Sequence, residues 1–310
     1  MQDSFSRILL PVDRSFQSKV AIDTTLLISK LFSSKVTAVH VVSNLLLTLP
    51  NRIYVSRDSF APISTATGQF PRTVIVPSSS EYLISDEIVN EATARYEEDG
   101  ENLLSETAAL FAKEGITIDH KLEKQNNAAD AIIEETGRGN YDCTIIGNSG
   151  NEEDESDMHL GSVAARITAS NLTNVLVTRK KVDLGRILVA VDGTEKDEKV
   201  IEQTKILAKA VGAKVILLNV QEKSLLKFGP KIKDFGFQIL KRTSSMLPEI
   251  EVDQKLMFGD PASSIIDAAQ QDNVGLIILS RGGHGRLSIL LGSVSDHVLR
   301  HATMSVLIVK

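Results

Sequence analysis

The sequence predicts an α/β protein made of two tandem open-sheet domains, each a five-stranded parallel sheet covered by helices. Three observations predict it. Arg7-Ile-Leu-Leu-Pro-Val-Asp13 returns as Arg186-Ile-Leu-Val-Ala-Val-Asp192, a shift of 179 that holds through Lys35-Val36 against Lys214-Val215 and Val41 against Val220. A second echo sets Cys143-Thr-Ile-Ile-Gly147-Asn-Ser-Gly150 beside Leu276-Ile-Ile-Leu-Ser280-Arg-Gly-Gly283, and Gly161-Ser162-Val163 beside Gly292-Ser293-Val294. A repeat this long means two copies of a domain, not a solenoid. Finally, short apolar runs alternate with helical periodicity, which implies a parallel sheet buried on both faces.

The elements follow in order. Each half opens on a branched apolar run, Ile8–Val12 or Ile187–Val191, read as a buried strand. A helix follows, because Ala21, Thr25, Ile28 and Phe32, and likewise Val200, Thr204, Leu207 and Val211, fall on one helical face. A second strand (Val36–Val42, Val215–Val220), a helix, a weaker third strand and another helix lead to a fourth strand, Cys143–Ile146 or Leu276–Leu279. A last helix precedes a fifth strand, Val175–Thr178 or Val306–Val309. The domains divide at 1–181 and 182–310. Only the first carries a long extra stretch, about 43–90, rich in Ser, Thr, Pro and Val, in which Arg52–Val55 and Arg72–Val76 could pair as a hairpin. A lid, a contact surface for a protein partner and disorder all remain open for it. The fifth strands are apolar edges, so the halves are expected to pack across them as an internal pseudo-dimer. Nothing in the sequence supports a further homodimer through the insertion.

Composition narrows the function. At 310 residues, 42% apolar and 24% charged, the chain reads as soluble and globular. No run approaches the roughly 18 apolar residues of a membrane span. The opening residues lack a signal peptide's basic and apolar regions, and Cys143 is the lone cysteine, so a reducing cytoplasm is expected. The net charge of −6 is uneven: residues 1–182 hold 17 Lys/Arg against 25 Asp/Glu, and 183–310 hold 17 against 15. Neither half has a basic stripe, which argues against nucleic acid.

Ligands of open parallel sheets sit at the carboxyl ends of strands, where strand order reverses. The first strand ends in Asp13 or Asp192, and the fourth in a glycine turn before a helix. A carboxylate there can accept from a ribose or base, and amides of a glycine turn at a helix start can face phosphates. Each feature alone has a plainer reading, as a helix cap or a turn former. Their recurrence in order in both halves makes the stronger case.

At this point each half resembles a universal stress protein domain. The residues that carry the resemblance are Pro11-Val12-Asp13, Val191-Asp192, Gly259-Asp260-Pro261-Ala262, the glycine turns, and Gly292-Ser293-Val294 with the helix that follows to Ala302. The resemblance implies a Rossmann-like fold with strand order 3-2-1-4-5, ATP or another adenine nucleotide as ligand, and a regulatory or sensing role in stress with little or no turnover. For the second half it implies Val191, Asp192, Val220, Leu279, Arg281, Gly283, Gly285, Gly292, Ser293 and Val294 as the nucleotide site, with Mg²⁺ carried by the phosphates. For the first half it implies Pro11, Val12, Asp13, Val41, Gly147, Gly150, Gly161 and Ser162.

Both copies depart from the family signature, G-x-x-G, nine residues, then G-[ST]. The first separates Gly150 from Gly161 by ten residues, five of them carboxylates, and has Asn126-Asn127-Ala128-Ala129 in place of Gly259-Asp260-Pro261-Ala262. The second has Ser280 at the first glycine and eight residues between Gly283 and Gly292, but Arg281, His284 and Arg286 suit an anion. The second half is therefore the favoured site. The rival reading is a protein-interaction scaffold with degenerate sites, and an ATP-using transferase or hydrolase ranks third. His297 and His301 share a helix face, but no third ligand stands near them in sequence, so zinc is not expected. Ser162, Ser280 and Ser293 have no His/Asp partner pattern for catalysis. Asn171-Leu-Thr173 fits a sequon that a cytoplasmic chain would not use, and Cys143 is expected in the core.

Overall fold

The structure is a computed structural model that describes residues 4–42, 86–125, 127–150, 159–180, 182–222, 224, 230–282 and 291–310. The hairpin expected within 43–90 lies outside the described residues.

In the first half, β1 (Arg7–Pro11), α1 (Phe16–Phe32) and β2 (Lys35–Val42) are followed by α2 (Asp86–Lys113) and β3 (Asp119–Lys124). Then come α3 (Ala128–Arg138), β4 (Cys143–Gly147), α4 (Ser162–Ser170) and β5 (Asn174–Thr178). The second half opens with β6 (Arg186–Ala190), α5 (Lys196–Val211), β7 (Lys214–Gln221), α6 (Pro230–Ser245) and β8 (Val252–Phe258). It closes with α7 (Pro261–Gln271), β9 (Leu276–Ser280), α8 (Ser293–His301) and β10 (Ser305–Val309).

Within each half the strands are parallel in the order 3-2-1-4-5, as expected. The expectation of two separate five-stranded sheets is corrected. β5 and β10 pair antiparallel, so all ten strands form one sheet, β3-β2-β1-β4-β5-β10-β9-β6-β7-β8. The physical reason lies in the edges. β5 and β10 are almost wholly buried apolar strands, which left unpaired would expose a row of amides and carbonyls. The outer strands β3 and β8 carry Lys, Asp or Glu, a charge pattern that discourages further pairing.

Helices α1, α2, α5 and α6 cover one face and α3, α4, α7 and α8 the other, and each face has one apolar core running through both halves. The stripes read from the sequence point inward: Val200, Thr204 and Leu207 are buried, as are Ala21, Thr25 and Ile28. Even the polar member repeats. Thr25 Oγ1 donates to the Ala21 carbonyl and Thr204 Oγ1 to the Val200 carbonyl, each at 2.8 Å. Cys143 sits in the core, where burial raises its thiol pKa well above the usual range.

The starts of α3 and α7 are set by side-chain caps. Asp260 accepts from the Ser263 amide, with Pro261 at the first helical position. In the first half Asn127 does the same work, accepting from the Ala129 and Asp130 amides at 2.9 and 3.2 Å. The two segments therefore differ in sequence while keeping one function.

Candidate functional site

The switch in strand order falls between β1 and β4, and a crevice of about 300 Å³ opens at their carboxyl ends. All eight first-half residues singled out from the sequence line it: Pro11, Val12, Asp13, Val41, Gly147, Gly150, Gly161 and Ser162. Val39, Ile132 and Ile146 add apolar wall.

Asp13 is held from both sides. Its amide donates to Ser18 Oγ at 3.0 Å. Its Oδ1 accepts from the Ser15 amide at 2.9 Å and from the Ser15 hydroxyl. Ser15 in turn caps α1 by accepting from the Ser18 amide at 3.1 Å. Oδ2 is turned toward Gly150, where a Cβ would stand 3.1 Å from it. Across the crevice, the Gly161 amide donates to the Asn148 carbonyl at 2.6 Å, and Asn148 Nδ2 donates to the His159 carbonyl at 3.0 Å. α4 starts at Gly161 without a side-chain cap and has no acidic residue in its first turn. Its first amides and the positive end of its dipole are therefore available to an anion or a polar ligand.

The sequence reading missed several wall residues, above all His40, Ser149, Ser15 and Ser18. His40 Nδ1 lies 2.8 Å from the Val12 carbonyl and must be the donor, because a carbonyl only accepts. Its register partner Asn219 donates from Nδ2 to the Val191 carbonyl at the same 2.8 Å. That shared polar position inside an apolar strand was the available signal. Ser149 Oγ is buried and has no hydrogen-bond partner among the described residues.

In the second half, Asp192 Oδ1 accepts from the Thr194 amide at 2.9 Å. Asp197 replaces Ser18 and accepts from the Asp192 and Gly193 amides at 3.2 and 2.8 Å. Asp197 is 2% exposed, and desolvation pushes its pKa up to about 6 despite those amides. Val191 and Leu279 are buried, Val220 is half-buried, and Gly292 caps α8 ahead of Ser293 and Val294. Gly283 and Gly285 lie outside the described residues, as does 151–158 of the first half. Arg281 was expected beside a phosphate. Its side chain is buried at the junction of the halves, where Nη2 donates to the Ala169 carbonyl of α4 at 2.5 Å. The sequence could not show this, because the acceptor belongs to the other half.

Comparison with known proteins agrees with this geometry. The model of the universal stress protein family matches residues 184–310. Universal stress protein YxiE of Bacillus subtilis is 28% identical over 145 residues, covering 40% of this chain and 98% of that protein. A Staphylococcus aureus (strain USA300) protein bearing the same family name is 30% identical over 137 residues, 40% of this chain and 82% of the relative. The chain belongs to the universal stress protein family. Among solved structures, a universal stress protein from Archaeoglobus fulgidus aligns over 98% of this chain and 96% of its own, with 20% identity and a TM-score of 0.66. That likeness speaks to the fold of both halves and to nothing more.

Other candidate chemistry in this universal stress protein is accounted for locally. The His297 and His301 rings stack at 4.1 Å, and His301 Nδ1 is 2.8 Å from the His297 carbonyl. Among the described residues no three His, Cys, Asp or Glu side chains group as a metal site, and no helix is long and apolar enough to cross a membrane. Asn171 ends α4 in the left-handed conformation.

Proposed function

We propose that this universal stress protein is a tandem of two family domains, 1–181 and 182–310, that binds an adenine nucleotide and acts as a stress-response regulator with little turnover. The observation that carries the reading is the convergence of Asp13, the Gly147–Gly150 turn and the α4 start on one crevice. Its volume lies at the lower end of small-ligand sites and leaves room for a nucleoside. Val39, Val41 and Ile146 offer apolar surface to a base, and Asp13 Oδ2 offers an acceptor to a ribose hydroxyl. The Ser149 hydroxyl and the first amides of α4 would face the sugar and its first phosphate. The second half would bind through Asp192, Gly292, Ser293 and Val294, with Mg²⁺ carried by the phosphates. Among the described residues the Ser15 hydroxyl that donates to Asp13 also caps α1 by accepting from the Ser18 amide, a helix-capping arrangement that supports a binding role.

Asp13→Asn tests this. The amide keeps an acceptor for the Ser15 N–H, so the cap survives, while the charge is removed. Calorimetric titration with adenosine should show affinity at the first-half site falling about tenfold or more, the scale of a charge-assisted hydrogen bond. Unchanged affinity in a variant with unchanged circular dichroism would overturn the reading.

A further inference from the structure

We infer that the chain associates end to end with a second copy of itself, basic α6 of one molecule seating on acidic α2 of the next. The two helices are repeats of each other. A Cβ on Gly100 would meet Leu122 and His40, and one on Gly236 would meet their counterparts Leu256 and Asn219. Thr107 Oγ1 donates to the Leu103 carbonyl at 2.8 Å and Thr243 Oγ1 to the Ile239 carbonyl at 2.9 Å. The inner surfaces are thus alike, but the outer ones have diverged. Asp99 and Glu101 flank Gly100, whereas Phe235 and Phe237 flank Gly236, 53% and 54% exposed. Glu97 and Glu106 become Lys233 and Arg242. Two exposed aromatic rings among cations, where the repeat carries carboxylates, fit a contact surface better than a solvated one.

Charge complementarity selects the occupant. α2 contains eight Asp or Glu against Arg95 and Lys113, and α6 contains four Lys or Arg against Asp234. Some of these charges have local partners: Glu91, Glu97 and Glu106 pair with Arg95, Lys124 and Arg14. Glu98, Asp99 and Glu101 are exposed and form no ion pair among the described residues, and the same holds for Lys231, Lys233 and Lys241. The carboxylates that follow α6, Glu249, Glu251 and Asp253, are already paired with Lys209 or Lys214. Leu110, 43% exposed, gives α2 apolar surface for a ring to meet. α2 lies over β2 and β3 and α6 over β7 and β8, so about eight strand spacings of roughly 4.8 Å separate them within one chain. Neither helix can neutralise the other in its own molecule. Sheet twist also turns the two ends in different directions, so one partner cannot cover both. Each added copy leaves one α2 and one α6 open, which is a heterologous contact. A single helix-on-helix contact is smaller than the about 800 Å² per partner of stable complexes, so the association is weak and depends on concentration.

The test uses the full chain. Sedimentation equilibrium at low salt should give an average mass that rises with concentration past that of a dimer, and high salt should return it toward the monomer. Zero-length carbodiimide coupling of mixed light and nitrogen-15-labelled chains should join Lys231, Lys233 or Lys241 to Glu98, Asp99 or Glu101 in mixed-isotope peptides. Lys233→Glu with Lys241→Glu should weaken association at least about tenfold, as should Asp99→Lys with Glu101→Lys, while a mixture of the two variants should associate again. Phe235→Ser with Phe237→Ser should weaken it at every salt concentration, which a purely electrostatic contact would not show. These side chains are exposed, so unchanged circular dichroism is expected of every variant. A mass that stays monomeric at low salt, or association without α6–α2 coupling, would overturn the inference. So would adsorption to phosphatidylserine vesicles without self-association, which would assign α6 to an anionic lipid surface.

Discussion

Gly147 offers a direct test of how β4 seats the helix that carries the crevice. A Cβ built at Gly147 would stand 2.8 Å from the carbonyl carbon, the carbonyl oxygen and the Cβ of Gln17. Gln17 is buried, lies in the first turn of α1, and sits between Ser15 and Ser18, the two residues that position Asp13. Reaching ordinary van der Waals contact requires α1 and β4 to part by roughly 0.6 Å, and overpacking of this kind costs about 1–3 kcal/mol. Replacing a strand glycine returns about 0.5–1 kcal/mol of that through lost unfolded-state entropy. Gly147→Ala is therefore expected to destabilise by about 1–2 kcal/mol, a fall of a few degrees in Tm for a chain of this size. Urea denaturation gives the free energy, and adenosine titration should show weaker binding because Asp13 moves with the α1 start. The second half supplies the control. Ser280 occupies the matching position and already has a Cβ, so Ser280→Gly should cost no more than about 1 kcal/mol. A Gly147→Ala protein as stable as the parent, or less affected than Ser280→Gly, would refute the reasoning.

Two further outcomes are expected. His40→Ala leaves the Val12 carbonyl without its donor and should cost about 1–3 kcal/mol in denaturant titration, whereas His40→Asn, copying Asn219, should cost less than half of that. Asp197 ionises in the folded protein only near pH 6, above the ordinary carboxylate range, so the folded state holds its proton while the unfolded state has lost it. Its contribution to stability must therefore decline as pH rises from about 4 to 6, by up to about 3 kcal/mol, and Asp197→Ser should flatten that slope in stability measured against pH.

Much of the fold was legible because its signals are local. Ile8, Leu9 and Leu10, or Ile277 and Ile278, are continuous apolar runs because both faces of their strands are covered, and they are fully buried. The positions flanking the first-half crevice were legible for a related reason: Asp13 and the glycines sit where strands end, and strand ends are visible in sequence. His40 and Ser149 were not, since a polar residue at a strand end reads as solvated until the neighbouring wall is known. The departure at Asn126–Ala129 looked like a loss, yet Asn127 caps α3 much as Asp260 caps α7. The place of the Arg281 side chain was not legible, because its burial depends on α4 of the other half, a contact between residues 112 positions apart.

The junction of the halves explains how one duplicated scaffold could diverge. At its centre Leu176 pairs with Leu307, its own copy, flanked by Val175 with Ile308 and Val177 with Val306. A contact in which an element meets its own repeat is the self-complementary arrangement of a two-fold interface. The flanking polar contacts follow the same logic. Arg179 donates to the Leu299 carbonyl, Arg281 to the Ala169 carbonyl and Lys310 Nζ to the Leu172 carbonyl, so each half sends cations to the carboxyl end of the other's last helix. There the helix dipole is negative and free carbonyls need donors. Because β5 and β10 run antiparallel, every strand of one half opposes every strand of the other. The carboxyl ends of β1 and β4 therefore lie at the opposite end of the sheet from those of β6 and β9. The two strand-switch points share no wall, and a charge gained beside one does not reach the other. An acidic segment after Gly150 and a basic one after Ser280 can then coexist in one molecule whose halves do not share a strand-switch point.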